Sequence, residues 1–246
     1  MIEFDKVSFS YESRSILNGI SFSIHGEEKV AVLGGSGQGK TTLLKLILGL
    51  LKPDSGKIII DGEDIGKKSE DDLREIRMRF SIVFQEGALF DSLSVKENVA
   101  FCLREYTSLS EEQIDQKVRE LLRKVGMEEA VDLMPEELSG GMQRRVAIIR
   151  SLAAFEPKMF LYDEPTSGLD PVNADLIYRL ISTLAGQGKG FVMVTHSVLD
   201  AVKMAERFIV LGKGRMIFDG AREELLRLPV PEIRVSVSEW QRGLGV

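Results

Sequence analysis

The tightest constraint in the chain is Val30-Ala31-Val32-Leu33, then Gly34-Gly35-Ser36-Gly37-Gln38-Gly39-Lys40-Thr41-Thr42, then apolar residues at Leu43, Leu44, Ile47 and Leu48. It spells a buried strand, a glycine loop of the form G-x-x-x-x-G-K-[ST], and a helix. Glycines remove the Cβ atoms that would stop backbone amides from turning inward around phosphate oxygens, and the helix N-terminus adds a partial positive charge. Lys40 supplies a point charge for β and γ phosphates, and the Thr41 hydroxyl suits Mg²⁺. A strand that must deliver this loop to a helix belongs to an α/β fold.

The rest of the chain agrees. Ile2 to Phe9 and Ile20 to Ile24 alternate, and Ile58-Ile59-Ile60 runs into an Asp61-Gly62 turn, which predicts antiparallel pairing in the N-terminal third. Lys29 to Leu33, Ser81 to Phe84, Met159 to Tyr162 and Phe191 to Thr195 are continuous apolar runs, as expected of parallel strands buried on both faces. Residues 94–104, 110–125 and 139–154 read as helices without intervening strands, the second opened by the capping box Ser110-Glu111-Glu112-Gln113. The expectation is a doubly wound core with a small antiparallel sheet and a helical insertion at about 86–155.

A second chemical element is Met159-Phe160-Leu161-Tyr162-Asp163-Glu164, where a buried strand ends in two carboxylates. Ligands of open α/β sheets sit at that edge. Asp163 is suited to orient Mg²⁺ or its water, and Glu164 to accept a proton from water attacking a γ-phosphate. His196 follows another buried strand and arrives at the same kind of position. The third element, Leu138-Ser139-Gly140-Gly141-Met142-Gln143, opens a helix with two poor helix formers. That makes sense if exposed amides approach something closely.

Composition excludes several classes. The charge of −6 speaks against a nucleic-acid binder that works by bulk charge. A single cysteine, Cys102, forms no internal disulfide, and His25 and His196 supply no zinc cluster. No run approaches the ~18 apolar residues of a membrane span. Cys102 reads as a packed thiol, His25 as structural, Trp240 as a tail anchor, and Glu70-Asp71-Asp72 with Arg74, Arg77 and Arg79 as a solvated helix face.

Taken in order, these motifs resemble the nucleotide-binding subunit of ATP-binding-cassette (ABC) transporters. The resemblance implies a RecA-like P-loop core with an N-terminal antiparallel β subdomain and a helical subdomain, one cassette over residues 1–228 and a tail at 229–246. It implies ATP and Mg²⁺ as ligands, with Tyr11 stacking on adenine, residues 34–42 and Gln85 on the nucleotide, and Thr41, Gln85 and Asp163 around the metal. Lys40, Glu164 and His196 are the expected catalytic groups. In the family two copies dimerise head to tail, which implies that Ser139, Gly140, Gly141 and Gln143 meet the ATP of the partner and that Asp170, in Ser167-Gly168-Leu169-Asp170, faces the dimer interface.

Gly87-Ala88-Leu89-Phe90 and Leu133-Met134-Pro135 are similar to the ATPases of Mla-type phospholipid transporters, the MCE systems. That similarity implies a multi-span permease, an MCE-domain lipid-binding protein and often a STAS-domain protein as partners, and a peripheral place on the cytoplasmic face of a bacterial inner membrane. The ending Pro229 to Val246 departs from the basic-aromatic tail of that subgroup. An importer or exporter of another small solute, such as amino acids, is the alternative. Cassette ATPases outside transport usually carry two cassettes or a long coiled-coil insertion, and 246 residues have room for neither.

Overall fold

A computed structural model of the chain describes residues 2–186 and 188–227. The expected tail, with Trp240, lies outside the described residues. Ten strands are present among those described: β1 (Ile2–Tyr11), β2 (Arg14–Ile24), β3 (Lys29–Leu33), β4 (Ser55–Ile60), β5 (Glu63–Asp64), β6 (Phe80–Val83), β7 (Met159–Asp163), β8 (Gly190–Thr195), β9 (Arg207–Gly212) and β10 (Arg215–Ala221). They alternate with α1 (Lys40–Ile47), α2 (Glu70–Arg77), α3 (Val95–Tyr106), α4 (Glu111–Lys124), α5 (Gly140–Leu152), α6 (Pro171–Ala185), α7 (Val198–Met204) and α8 (Arg222–Leu225).

The strands form an antiparallel sheet of order β2-β1-β4-β5 and a larger sheet of order β10-β9-β3-β8-β7-β6. In the larger sheet β9, β3, β8, β7 and β6 run parallel and β10 closes one edge antiparallel. Of these parallel strands β3, β6, β7 and β8 are the apolar runs read from sequence, and β9 is a fifth that the reading did not include; helices cover them. Asp61 and Gly62 both take positive φ, 51° and 87°, the two-residue turn that brings β5 back onto β4.

Three apolar cores follow. One fills the space between the two sheets and holds α1, with Phe4, Leu17, Leu44 and Val194. A second lies on the opposite face of the large sheet beneath α6 and α7, with Tyr162, Ile181 and Phe208. The third belongs to α3, α4 and α5, with Val99, Val118 and Ile149. Those helices match the three expected at 94–104, 110–125 and 139–154 within two residues at each end. Serine caps start all three, and Ser94 and Ser110 make full capping boxes with Glu97 and Gln113.

The segment expected to be a solvated helix face is more engaged than that. Asp72 closes a capping box with Ser69, Leu73 and Ile76 are buried, and Arg77 Nε donates to the Leu48 carbonyl at 2.9 Å. Arg79 sits at the start of β6 and reaches Asp61 at 3.2 Å and Glu63 at 3.4 Å. The charges therefore tie α2 and β6 to α1 and the β4–β5 turn. His25 is exposed in the turn between β2 and β3, and Cys102 is half-buried on α3.

Candidate functional site

Because β3, β8 and β7 are adjacent and parallel, the loop after β3, the pair Thr195-His196 after β8 and the pair Asp163-Glu164 after β7 meet at one sheet edge. The glycine loop wraps the start of α1. Gly39 holds φ at +92°, and a Cβ there would come within 2.8 Å of Leu17 Cδ2, so position 39 demands glycine on two counts. No side chain caps α1, which leaves its first amides for an outside acceptor. Gln38 is held from elsewhere, its Oε1 accepting from the Lys213 amide at 2.6 Å in the β9–β10 turn.

Lys40 is buried to 8% exposure and its Nζ donates to the carbonyls of Gly34 at 2.8 Å and Gly35 at 3.2 Å. The same ammonium lies 3.5 Å from Glu164 Oε1. A cleft of about 190 Å³ leads outward from it, lined by Tyr11, Arg14, Ile16, Gly37, Thr41 and Thr42. Tyr11 ends β1, is 43% exposed, and packs its ring edge-on against Phe9 at 4.8 Å, so an aromatic side chain stands beside the loop.

The two carboxylates divide as the alternation of a strand end predicts. Asp163 is 3% exposed and its Oδ1 accepts from the Thr41 hydroxyl at 3.2 Å. Burial raises its pKa above the usual carboxylate range, and the Thr41 hydrogen bond draws it part of the way back. Glu164 takes a left-handed backbone, φ +47°, fixed by its amide donating to the Val194 carbonyl at 2.9 Å. That conformation costs a non-glycine residue about 1–3 kcal/mol and is characteristic of functional turns. Its Oε1 lies 2.9 Å from His196 Nδ1, and its Oε2 accepts from the Thr195 hydroxyl at 3.0 Å. Thr195 went unnoticed in the sequence; its place beside His196 at a strand end was the available signal.

The donor set fits a small, hard cation. Among the described residues no three His, Cys, Asp or Glu side chains gather as a metal cage. One buried carboxylate and one hydroxyl remain, with phosphate oxygens and water left to complete the shell, which is how Mg²⁺ is usually held. Gln85, expected to join them, is exposed in the turn after β6. That turn is built by arginines of α5: Arg144 Nη1 donates to Phe84 O at 2.7 Å, and Arg150 donates to Ala88 O at 2.7 Å and Gly87 O at 3.0 Å.

The Ser139-Gly140-Gly141 segment opens α5. Ser139 caps α5 through Met142 N at 3.3 Å, and it and Gly140 are exposed. Gly141 is buried, and a Cβ there would meet Asn173 Oδ1 at 2.5 Å and Asn173 Cβ at 2.9 Å. The close approach expected of these glycines is thus made at Gly141 to the chain's own α6. Gln143 turns inward, its Nε2 donating to Pro135 O at 2.8 Å and Leu138 O at 3.4 Å. Asp170 is exposed and caps α6, accepting from the amides of Val172 at 3.0 Å and Asn173 at 3.1 Å. The hydrogen bond from the Asn173 side chain, with those backbone bonds added, holds its carboxyl below the usual range.

Residues 17–167 match the family model described as ABC transporter. The intermembrane phospholipid transport system ATP-binding protein MlaF of Escherichia coli K12 is 39% identical over 95% of this chain and 87% of its own length. The glutamine transport ATP-binding protein GlnQ of the same organism is 41% identical over 93% of this chain and 95% of its own. The ATP-binding cassette MJ0796, solved as a dimer in a post-hydrolysis state with ADP and Pi, superposes with a TM-score of 0.81 at 31% identity, over 90% of this chain and 98% of that one.

Proposed function

The chain belongs to the ABC transporter family as an ATP-binding, ATP-hydrolysing subunit, and from that premise we propose that it powers movement of phospholipid between membranes. Its ATP site comprises residues 34–42, Tyr11 and Gln85. The ribose and base end lies along the cleft toward Tyr11, and the β and γ phosphates take the amides of the glycine loop and displace Lys40 Nζ from the Gly34 and Gly35 carbonyls. Thr41, Asp163 and Gln85 are the protein donors for Mg²⁺, which when bound neutralises charge developing on the transferred phosphoryl group.

Hydrolysis then needs little more than position and a base. A water oxygen attacks the γ-phosphorus as the bond to the ADP oxygen breaks, and the water's proton passes to Glu164. Thr195 and His196 hold the two oxygens of that carboxylate, and His196, with 58% of its side chain exposed, reaches toward the γ-phosphate. Ser139 and Gly140, both exposed, are offered outward for the ATP of a second copy, with the buried Gly141 and Gln143 shaping the segment that presents them and Asp170 at the interface. Residues 1–228 form one cassette with α3 to α5 as its helical part, followed by the tail 229–246.

The observation that carries the choice of cargo is a convergence around α3. Asn98 bonds both backbone groups of Phe90, at 2.8 and 3.1 Å, and Val95 N donates to Leu133 O at 2.8 Å. The two segments similar to Mla-type ATPases, 87–90 and 133–135, therefore flank one helix start. Beside it Phe90 and Phe101 are exposed, their rings 4.9 Å apart. Among the described residues no helix is long and apolar enough to cross a membrane. This surface is where a multi-span permease docks, on the cytoplasmic face of a bacterial inner membrane, with MCE-domain and STAS-domain proteins completing the complex.

Glutamine-type transport is the second reading, favoured by the 41% identity to GlnQ. Copurifying the chain with its membrane partner and reconstituting the pair in proteoliposomes decides between them. ATP-dependent movement of labelled phospholipid is the expected result; ATP-dependent glutamine uptake without lipid movement would replace it.

A further inference from the structure

Behind the Glu164–His196 pair lies a second polar cluster. Asp200, on the first turn of α7, accepts the Thr166 hydroxyl on Oδ2 at 2.7 Å and the Tyr178 hydroxyl on Oδ1. Its own amide donates to Ser197 Oγ at 3.2 Å, the cap of α7. Thr166 and Tyr178 are buried, at 6% and 8% exposure, and Lys203 Nζ sits 5.1 Å over the Tyr178 ring.

The cluster joins the segments that follow β7 and β8 at the sheet edge to α6, the helix after the β7 segment. Thr166 is two residues beyond Glu164. Asp200 is four beyond His196, on the helix whose cap directly follows that histidine. Tyr178 stands on α6, which Asp170 caps. Glu164 needs such support, because its left-handed backbone is intrinsically unfavourable and persists only if neighbouring atoms hold it. The backbone bond from Glu164 N to Val194 O fixes one side of the turn, and Ser167 N to Glu164 O, at 3.2 Å, closes it. Inside that closed turn the Thr166 side chain is bonded to another element, α7, through Asp200.

We propose that Asp200 is a positioning residue for hydrolysis, which through Thr166 fixes the turn that aims Glu164 at the phosphate site and keeps it in register with His196. The inference rests on the reading of Glu164 as the base. A carboxylate suits the task because it accepts from two hydroxyls at once, and bonds to an ionised acceptor are stronger than neutral ones.

The test uses the full chain and measures kcat and KM for ATP, nucleotide affinity and melting temperature. Thr166→Val keeps shape and volume but removes the hydroxyl. It should lower kcat by roughly tenfold or more, the scale of a sub-ångström to ångström misplacement, with KM and ATP affinity within about twofold. Thr166→Ser should recover most of the turnover, and Asp200→Ala should match Thr166→Val. In a Glu164→Gln background, Thr166→Val should add less than about twofold, because the group being aimed is already gone.

Wild-type kcat in Thr166→Val, a fall in melting temperature alone, or full multiplicative slowing in the double variant would each overturn the inference while leaving Glu164 as base. Normal turnover by Glu164→Gln would remove that premise, and the positioning role with it.

Discussion

Lys40 Nζ and Glu164 Oε1 lie 3.5 Å apart with both side chains more than nine-tenths buried. The group proposed to hold phosphate and the group proposed as the base are thus paired with each other. On that proposal ATP is an anion that competes with Glu164 for Lys40, and its binding frees the carboxylate. A buried charge left without its partner is costly, which is why the Lys40 variant below is expected to be the more disruptive for binding.

Glu164→Gln should bind ATP with an affinity close to that of the wild type and hydrolyse it about 10²-fold or more slowly, the scale of losing a general base. The amide still accepts the Thr195 hydroxyl, so the turn is kept. Phosphate release under saturating ATP checks the rate, and size-exclusion chromatography with ATP should show an accumulated dimer. Wild-type turnover would remove Glu164 from the proposed role.

Lys40→Ala should weaken ATP binding by roughly 10–100-fold, the range for losing a charge-assisted hydrogen bond. Titration with a fluorescent ATP analogue measures it. Mixing this variant with Ser139→Ala should restore part of the hydrolysis that each lacks alone, because a head-to-tail pair then contains one site with both halves intact. No recovery on mixing would argue against a composite site.

Asp163→Asn should separate stability from function. The folded pKa of Asp163 is raised by burial, so between the unfolded value near 3.8 and the folded value the native state holds more protons than the unfolded chain. Stability is therefore lost as pH rises through that window, and the loss is complete above it. The nucleotide-free Asn variant should melt at or above the wild-type temperature at pH 7, with its advantage vanishing below about pH 3.8. It should also lose the extra stability that ATP with Mg²⁺ gives the wild type. A lower melting temperature at pH 7 would contradict the sign.

Gly141→Ala should cost about 1–3 kcal/mol, the usual penalty of overpacking. The new methyl meets Asn173 Oδ1 at 2.5 Å, and α6 cannot retreat without moving Asp170. Denaturant unfolding measures the loss. Asn173→Ala should recover only part of it, since the Asn173 Cβ itself stands at 2.9 Å.

Much of this could be read from the chain. The glycine loop, the two carboxylates and His196 stand at the ends of short apolar runs, and parallel strands bring such ends to one edge whatever the connections between them. The three helices of residues 95–152 declare themselves through serine caps and apolar period. Side-chain contacts across the fold were less legible. Nothing local in the sequence says that Gly141 faces Asn173, that Gln143 turns inward, or that Thr166 and Asp200 meet over 34 residues. The β9–β10 hairpin was also passed over, although Gly212-Lys213-Gly214 marks its turn, because no motif there draws attention to it.

That hairpin and the strand order have a consequence for how the protein is made. β3, which carries the phosphate loop, is bonded only to β8 and β9, so its partners are residues 190–212. On a ribosome adding about 5–20 residues per second, the loop's strand waits roughly ten to thirty seconds for the first of them. Its glycine loop then still lacks the Lys213 amide that holds Gln38. Nucleotide binding is therefore a late acquisition of the nascent chain, and a ribosome stalled before residue 190 would display β3 without either of its sheet partners, and so a P-loop that does not yet exist as a site.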